Sequence, residues 1–191
     1  MGTHRHILKT LRTIALEHAH SAHPDLASMA RELGRVVHQD ASSLATRLAS
    51  LCQRRRGFER FLLTRRNKPP LSVWAVAWPP NHASALREHG NAWGLEVALV
   101  GALEVQSCQR DAASGELVLR DRTWLGPGDG TWFDGSTQQL RRCRNLSRQE
   151  TALSLHVYGD ELADLSVRQE NGSGQLMAPS RHRIITSHPH G

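Results

Sequence analysis

A chain of 191 residues, 39% apolar and 22% charged, is long enough to bury one core and has the composition of an ordinary globular domain. It holds no run of about 18 apolar residues, which excludes a readable spanning helix. Its basic start, MGTHRHILKTLRTIALEHAH, lacks the apolar block and cleavage site of a secretory leader. The formal charge is +6, but Lys9 and Lys68 are the only lysines and the arginines are spread along the chain. That pattern predicts a solvated basic surface and argues against a nucleic-acid partner, which needs clustered basic and aromatic residues.

Ile7, Leu8, Leu11, Ile14 and Ala15 recur at helical spacing and predict a first helix from residue 4. The stretch Ser21 to Asp25 breaks it, and Asp25 stands where the next helix needs a cap. Leu26, Met29, Leu33, Val36 and Val37 stripe that helix, and Asp40-Ala41-Ser42-Ser43 predicts a new start for a third with Leu44, Leu48 and Leu51. Residues 1–57 therefore read as a helical cover. Beyond residue 60 the period shortens to that of strands. Candidates are 71–78, ended by Pro79-Pro80-Asn81, then 95–100, 103–106, 116–120, 140–143 and 152–158. The turn Gly126-Pro127-Gly128-Asp129-Gly130 falls among them. Short strands with closely spaced turns predict a mainly β sandwich or barrel over 58–170, and 171–191 reads as a turn-rich tail.

Three cysteines, Cys52, Cys108 and Cys143, contain no C-x-x-C. This argues against a disulfide scaffold or zinc ribbon and fits a cytoplasmic protein. Of twelve histidines, the pairs His4/His6, His18/His20 and His188/His190 fall on helices or in the tail. On a helix, residues two apart diverge, so these pairs read as surface residues.

The stretch WPPNHASALREHGNAWGLEVALVG, residues 78–101, resembles the first cupin motif of the cysteine dioxygenase and bacterial thiol dioxygenase family. LRRCRNLSRQETALSLHVYGDEL, residues 140–162, resembles that family's second metal-site strand, and FERFLLTRR, residues 58–66, resembles its substrate-binding strand. The resemblance implies a cupin fold, a small β-barrel or jelly roll behind N-terminal helices. It further implies iron(II), an amino-acid-like thiol substrate, and a relay of Ser154, His156 and Tyr158. It places Arg60 on the substrate carboxylate and Gly94 where many relatives have a cysteine crosslinked to the tyrosine.

The family binds iron through three neutral histidines. Here the corresponding residues are Arg87, His89 and Arg141. A guanidinium has no free lone pair and keeps its charge, so only His89 remains as a ligand. A rebuilt metal site would have to draw on His82, His89, His156 and Glu96. Arg60, Arg87 and Arg141 are expected to converge on one cavity and to need compensation there. Glu88 or Glu96 is one source, a bound phosphate, sulfonate or dicarboxylate a second, and a swing of the side chains to water a third. Cys143, two residues beyond Arg141, is expected either to share that cavity with a lowered thiol pKa or to be a small core residue. Two functions follow: a divergent thiol-dioxygenase-like enzyme acting on a small thiol or carboxylate, or a metal-free module binding an anionic metabolite.

Overall fold

The computed structural model describes residues 3–53, 57–136 and 139–160. The tail 171–191, the end of the predicted β region from 161, and His188/His190 lie outside the described residues. Two helices, α1 (Thr3–His18) and α2 (Leu26–Gln53), precede nine strands. These are β1 (Glu59–Asn67), β2 (Pro70–Trp78), β3 (Arg87–Glu88), β4 (Gly94–Val100), β5 (Leu103–Arg110), β6 (Leu117–Leu125), β7 (Gly130–Phe133), β8 (Leu140–Asn145) and β9 (Ala152–Tyr158).

Asp25 caps α2 as its sequence position predicts. The Ser28 amide donates to its carboxylate at 3.0 Å and the Ser28 hydroxyl at 2.7 Å, and these bonds hold the Asp25 carboxyl below its usual range. The predicted third helix does not exist as a separate element, because α2 runs straight through Asp40 to Ser43. Leu44 follows Val37 by two helical turns, so Leu33, Val37, Leu44 and Leu48 stay on one fully buried stripe. Ser43 donates back to the Asp40 carbonyl at 3.1 Å, and Arg47 pairs with Asp40 at 3.2 Å. The polar segment is thereby satisfied inside the helix. The His18 and His20 rings also serve locally, His18 on Glu32 and His20 on the Glu17 carbonyl.

The strands form two antiparallel sheets, ordered β1-β2-β9-β4-β7 and β3-β8-β5-β6. Among the described residues the hydrogen-bonded ladder does not pass from one sheet to the other, so the expected barrel is an open two-sheet jelly roll. Gly101, at φ +77°, makes the turn from β4 in the first sheet to β5 in the second, a conformation that suits a residue without Cβ. Strands β1, β3 and β7 are not marked by the sequence pattern: β1 is rich in arginine, and β3 and β7 are too short to show a period.

The first sheet is covered on both faces, which explains why all of β9 and nearly all of β2 and β4 are buried. Leu71, Val73, Leu95, Val97, Leu99, Leu153, Leu155 and Val157 pack against α1 and α2. Each fully buried Leu or Val there contributes about 1.5–3 kcal/mol. Because strand side chains alternate, the residues between them face the second sheet. Trp74, Val76, Trp78, Ala98 and Tyr158 meet Leu103, Val105, Leu125 and Cys143 in a second cluster. Thus one periodicity delivers the core to the helices and the polar residues of β9 to the space between the sheets.

Candidate functional site

Register sets the site out in rows across the inner face of the first sheet. His156 lies between Trp74 and Glu96, and Glu96 faces Thr131. Tyr158 lies between Ser72 and Gly94, and Gly94 faces Phe133. Ser154 lies between Val76 and Ala98, with Arg60 opposite Val76 on β1. From the second sheet come Arg87 and Arg141, directly opposite each other on β3 and β8. His89 follows β3 and stacks on Tyr158, centroids 5.3 Å apart, and meets Phe133 in a tilted contact at 4.9 Å. All seven residues expected at the site, Arg60, Arg87, His89, Arg141, Ser154, His156 and Tyr158, therefore share the inter-sheet space.

A line of hydrogen bonds runs along β9. Trp78 Nε1 donates to Ser154 Oγ at 2.7 Å, Ser154 Oγ is 2.7 Å from His156 Nε2, and His156 Nδ1 is 2.8 Å from Tyr158 Oη. The indole can only donate, so Ser154 accepts from it. A hydroxyl has a second lone pair, so two tautomers satisfy the line. With the hydrogen on His156 Nδ1, Ser154 donates to Nε2 and the ring donates to the phenol oxygen, which leaves the Tyr158 hydrogen free; with the hydrogen on Nε2, the ring donates to Ser154 and Tyr158 donates to Nδ1. Burial, reinforced by Arg60, Arg87 and Arg141, pushes His156 down to about 3, so the ring is neutral near pH 7. Burial and the Glu96 charge push the Tyr158 phenol up, so it stays protonated.

The arginines are not equivalent. Arg141 Nη2 donates to Glu96 Oε2 at 3.2 Å, both side chains being nearly fully buried, and its guanidinium lies 4.8 Å from the Phe133 ring centroid. Glu96 is thus the compensating carboxylate for one arginine. Arg60 stacks over Trp74 at 5.1 Å and has no carboxylate partner among the described residues, and neither has Arg87. Burial lowers both guanidinium pKa values, Arg60 further so through the charge of Arg87. His89 is pushed down to about 4, mainly by burial. Cys143 takes the second of its two expected roles, a small residue in the core. Its thiol is buried, and desolvation together with Glu96 raises its pKa well above the usual range, outweighing Arg141 and Arg87.

The model of one protein family, described as cysteine dioxygenase type I, matches residues 37–167, more than half of the chain. The chain belongs to that family. No curated protein matches it. Among solved structures it resembles TT1209 from Thermus thermophilus, with 18% identity, 55% of this chain and 87% of that one covered, and a TM-score of 0.43. It also resembles a cupin domain of an XRE family transcriptional regulator from Enterobacter cloacae, with 16% identity, coverage of 53% and 94%, and a TM-score of 0.40. A third is oxalate oxidase in complex with the substrate analogue glycolate, with 13% identity, coverage of 56% and 53%, and a TM-score of 0.43. Two antiparallel sheets behind N-terminal helices agree with the cupin fold expected of that family.

Members of the cysteine dioxygenase family generally bind iron, and the donor set here does not fit it. Arg87 and Arg141 offer only donors, and both His156 nitrogens are engaged by neighbours. Glu96 is committed to Arg141, and His82 stacks on Phe58 at 4.7 Å. Among the described residues no three of His, Cys, Asp or Glu are grouped to hold a metal ion, so the rebuilt site from His82, His89, His156 and Glu96 does not assemble. Gly94 faces Tyr158 in register, as the resemblance implies for the crosslink position. A Cβ there would come within 2.3 Å of the Phe133 ring and 2.8 Å of the Tyr158 ring. Phe133 fills the volume a cysteine side chain would need.

Sequence reasoning missed Trp74, Trp78, Thr131 and Phe133. The tryptophans were legible in principle, since their parity on β2 puts them on the Ser154 face. Phe133 had no signal, because β7 is four residues long.

Proposed function

We propose that this chain is a cupin that binds a small carboxylate-bearing molecule between its sheets without iron. Arg60 and Arg87 grip the anion, and Tyr158 donates a hydrogen bond to it. One observation carries the reading. Among the described residues six buried side-chain polar atoms have no hydrogen-bond partner, and five of them, on Ser72, Trp74, Arg87, His89 and Arg141, belong to residues of this inter-sheet region. Buried polar groups are ordinarily satisfied, and a cluster of exceptions calls for a partner. The Trp74, Arg87 and Arg141 atoms can only donate, so the missing partner is rich in acceptors. Two guanidinium groups without a carboxylate ask for negative charge as well.

Binding is favoured over turnover because His156 stays neutral and Tyr158 protonated at physiological pH. With its hydrogen on Nδ1, His156 donates to the phenol oxygen and frees the Tyr158 hydrogen for the ligand. Arginine side chains at two of the family's three ligand positions cannot coordinate iron, so the site offers a thiol no means of activating dioxygen toward it.

Thermal shift with three probes tests the reading at constant ionic strength. Propionate and 3-mercaptopropionate are expected to raise the melting temperature alike, and 2-mercaptoethanol to leave it unchanged. Arg60→Ala is expected to abolish the carboxylate effect, and Arg87→Ala to weaken it. Stabilisation by 2-mercaptoethanol as large as by 3-mercaptopropionate would mean that the thiol, and not the carboxylate, is recognised.

A further inference from the structure

Resting on the carboxylate-binding reading, we infer that the ligand is a dicarboxylate, one carboxylate for each of Arg60 and Arg87, and that an amino acid is disfavoured. The argument is a charge count tied to position. Three guanidinium groups face the space between the sheets, and among the described residues Glu96 supplies the only carboxylate paired to any of them, at 3.2 Å from Arg141. His89 and His156 are neutral near pH 7, so two positive charges remain uncompensated.

Those two charges lie on different sheets. Arg60 is on β1 of the first, against the Trp74 ring, and Arg87 is on β3 of the second, opposite Arg141. Like charges directly opposite on neighbouring strands repel, and Glu96, though its charge also favours the Arg87 guanidinium, is one negative charge and is paired directly with Arg141. A single carboxylate would neutralise one arginine and leave the other exposed to its neighbours. Two carboxylates on one short chain neutralise both. An α-amino acid brings an ammonium group into the same space, where Glu96 is already committed to Arg141. Its net charge is zero in a site that lacks two negative charges.

Isothermal titration at fixed ionic strength tests this with malonate, succinate and glutarate. Each is compared with the monocarboxylate that lacks one acid group, with succinamate as the half-amide of succinate, and with alanine and inorganic phosphate. The best dicarboxylate is expected to bind at least tenfold more tightly than its monocarboxylate or half-amide partner, and more tightly than phosphate and alanine. Arg87→Gln is expected to reduce that ratio to about one while leaving the weaker monocarboxylate binding through Arg60. Arg87→Gln also removes a like-charge contact, so the ligand-free variant is expected to melt no lower than the parent. Equal affinity for succinate and succinamate, with propionate still bound, would overturn the dicarboxylate and spare the carboxylate reading. Phosphate binding as tight as any dicarboxylate would overturn it in favour of a compact oxyanion. Binding of none of these anions would overturn both.

Discussion

Replacing Glu96 with glutamine removes the one carboxylate paired with Arg141 and nearly preserves the side-chain shape. The two side chains are 6% and 7% exposed and 3.2 Å apart, so water cannot take the place of the lost partner. Breaking a buried ion pair from one side costs about 3–5 kcal/mol, because the remaining charge stays buried. Two contacts offset part of this. Thr131 Oγ1 lies 3.4 Å from Arg141 Nη2, and the Phe133 ring lies under the guanidinium. A desolvated cation–π contact is worth up to about 2 kcal/mol, but it exists in both proteins and only limits relaxation. The expected loss is therefore about 3 kcal/mol, or roughly 6–12 °C in melting temperature for a domain of this size. Urea denaturation monitored by tryptophan fluorescence reads it directly. Glu96→Gln combined with Arg141→Met should recover a large part of the loss, since an uncharged pair of similar volume replaces the ions. A change under about 0.5 kcal/mol for Glu96→Gln would refute the argument, because it would mean that Arg141 reaches solvent and the charge count of the site is wrong.

The buried histidines set the pH response. Both have native pKa values depressed from 6.5, His89 to about 4 and His156 to about 3, so the unfolded chain takes up protons first on acidification. Their contribution is full above pH 6.5 and is lost toward pH 4 for His89 and toward pH 3 for His156, at about 1.4 kcal/mol per pH unit for each. Urea midpoints should fall steadily between pH 7 and 5, with a smaller slope for His89→Gln, and a flat profile would count against neutral burial. Cys143 is expected to resist iodoacetamide at pH 8 in the native protein and to react only on denaturation, as peptide mapping would show; rapid native labelling contradicts its raised pKa. Cobalt(II) titration reports on the donor set. The parent should show no visible ligand-field bands and R87H/R141H should acquire them, whereas bands in the parent that vanish in H89A would show a metal site that the donor set argues against.

Much of the site was readable from alternation alone. Ser154, His156 and Tyr158 share a parity on β9, and Leu153, Leu155 and Val157 share the other, so the polar line and the core face follow from one strand pattern. Arg87 and Arg141 were placed by resemblance and meet in register on β3 and β8. What local sequence does not carry is the commitment of partners. Glu96 had two carboxylate roles open to it, metal ligand and counter-ion, and only the approach of β8 to β4 across the two sheets decides for Arg141. The thiol of Cys143 went the other way for the same reason. Nearby guanidinium charges lower a thiol pKa, burial raises it, and the balance depends on a depth that spacing along a strand does not encode. The break expected at Asp40 failed because capping residues end a helix only when the apolar stripe also ends, and Leu44 and Leu48 continue it.

Exchange of histidines for arginines keeps one property of a metal centre and discards another. Iron(II) held by three neutral imidazoles is a doubly positive centre with open coordination positions. Arg87 and Arg141, offset by Glu96, are a singly positive centre with none, and Arg60 adds the same further charge in either case. Attraction for an anion falls off gradually with charge and distance, so it survives the exchange. Coordination needs a lone pair within bonding reach and does not. On the carboxylate-binding reading proposed above, the fold retains the part of the family's chemistry that depends on electrostatic potential. That is why ligand titration is the informative assay, and why a dicarboxylate, whose charge matches the two uncompensated guanidinium groups, is its sharpest probe.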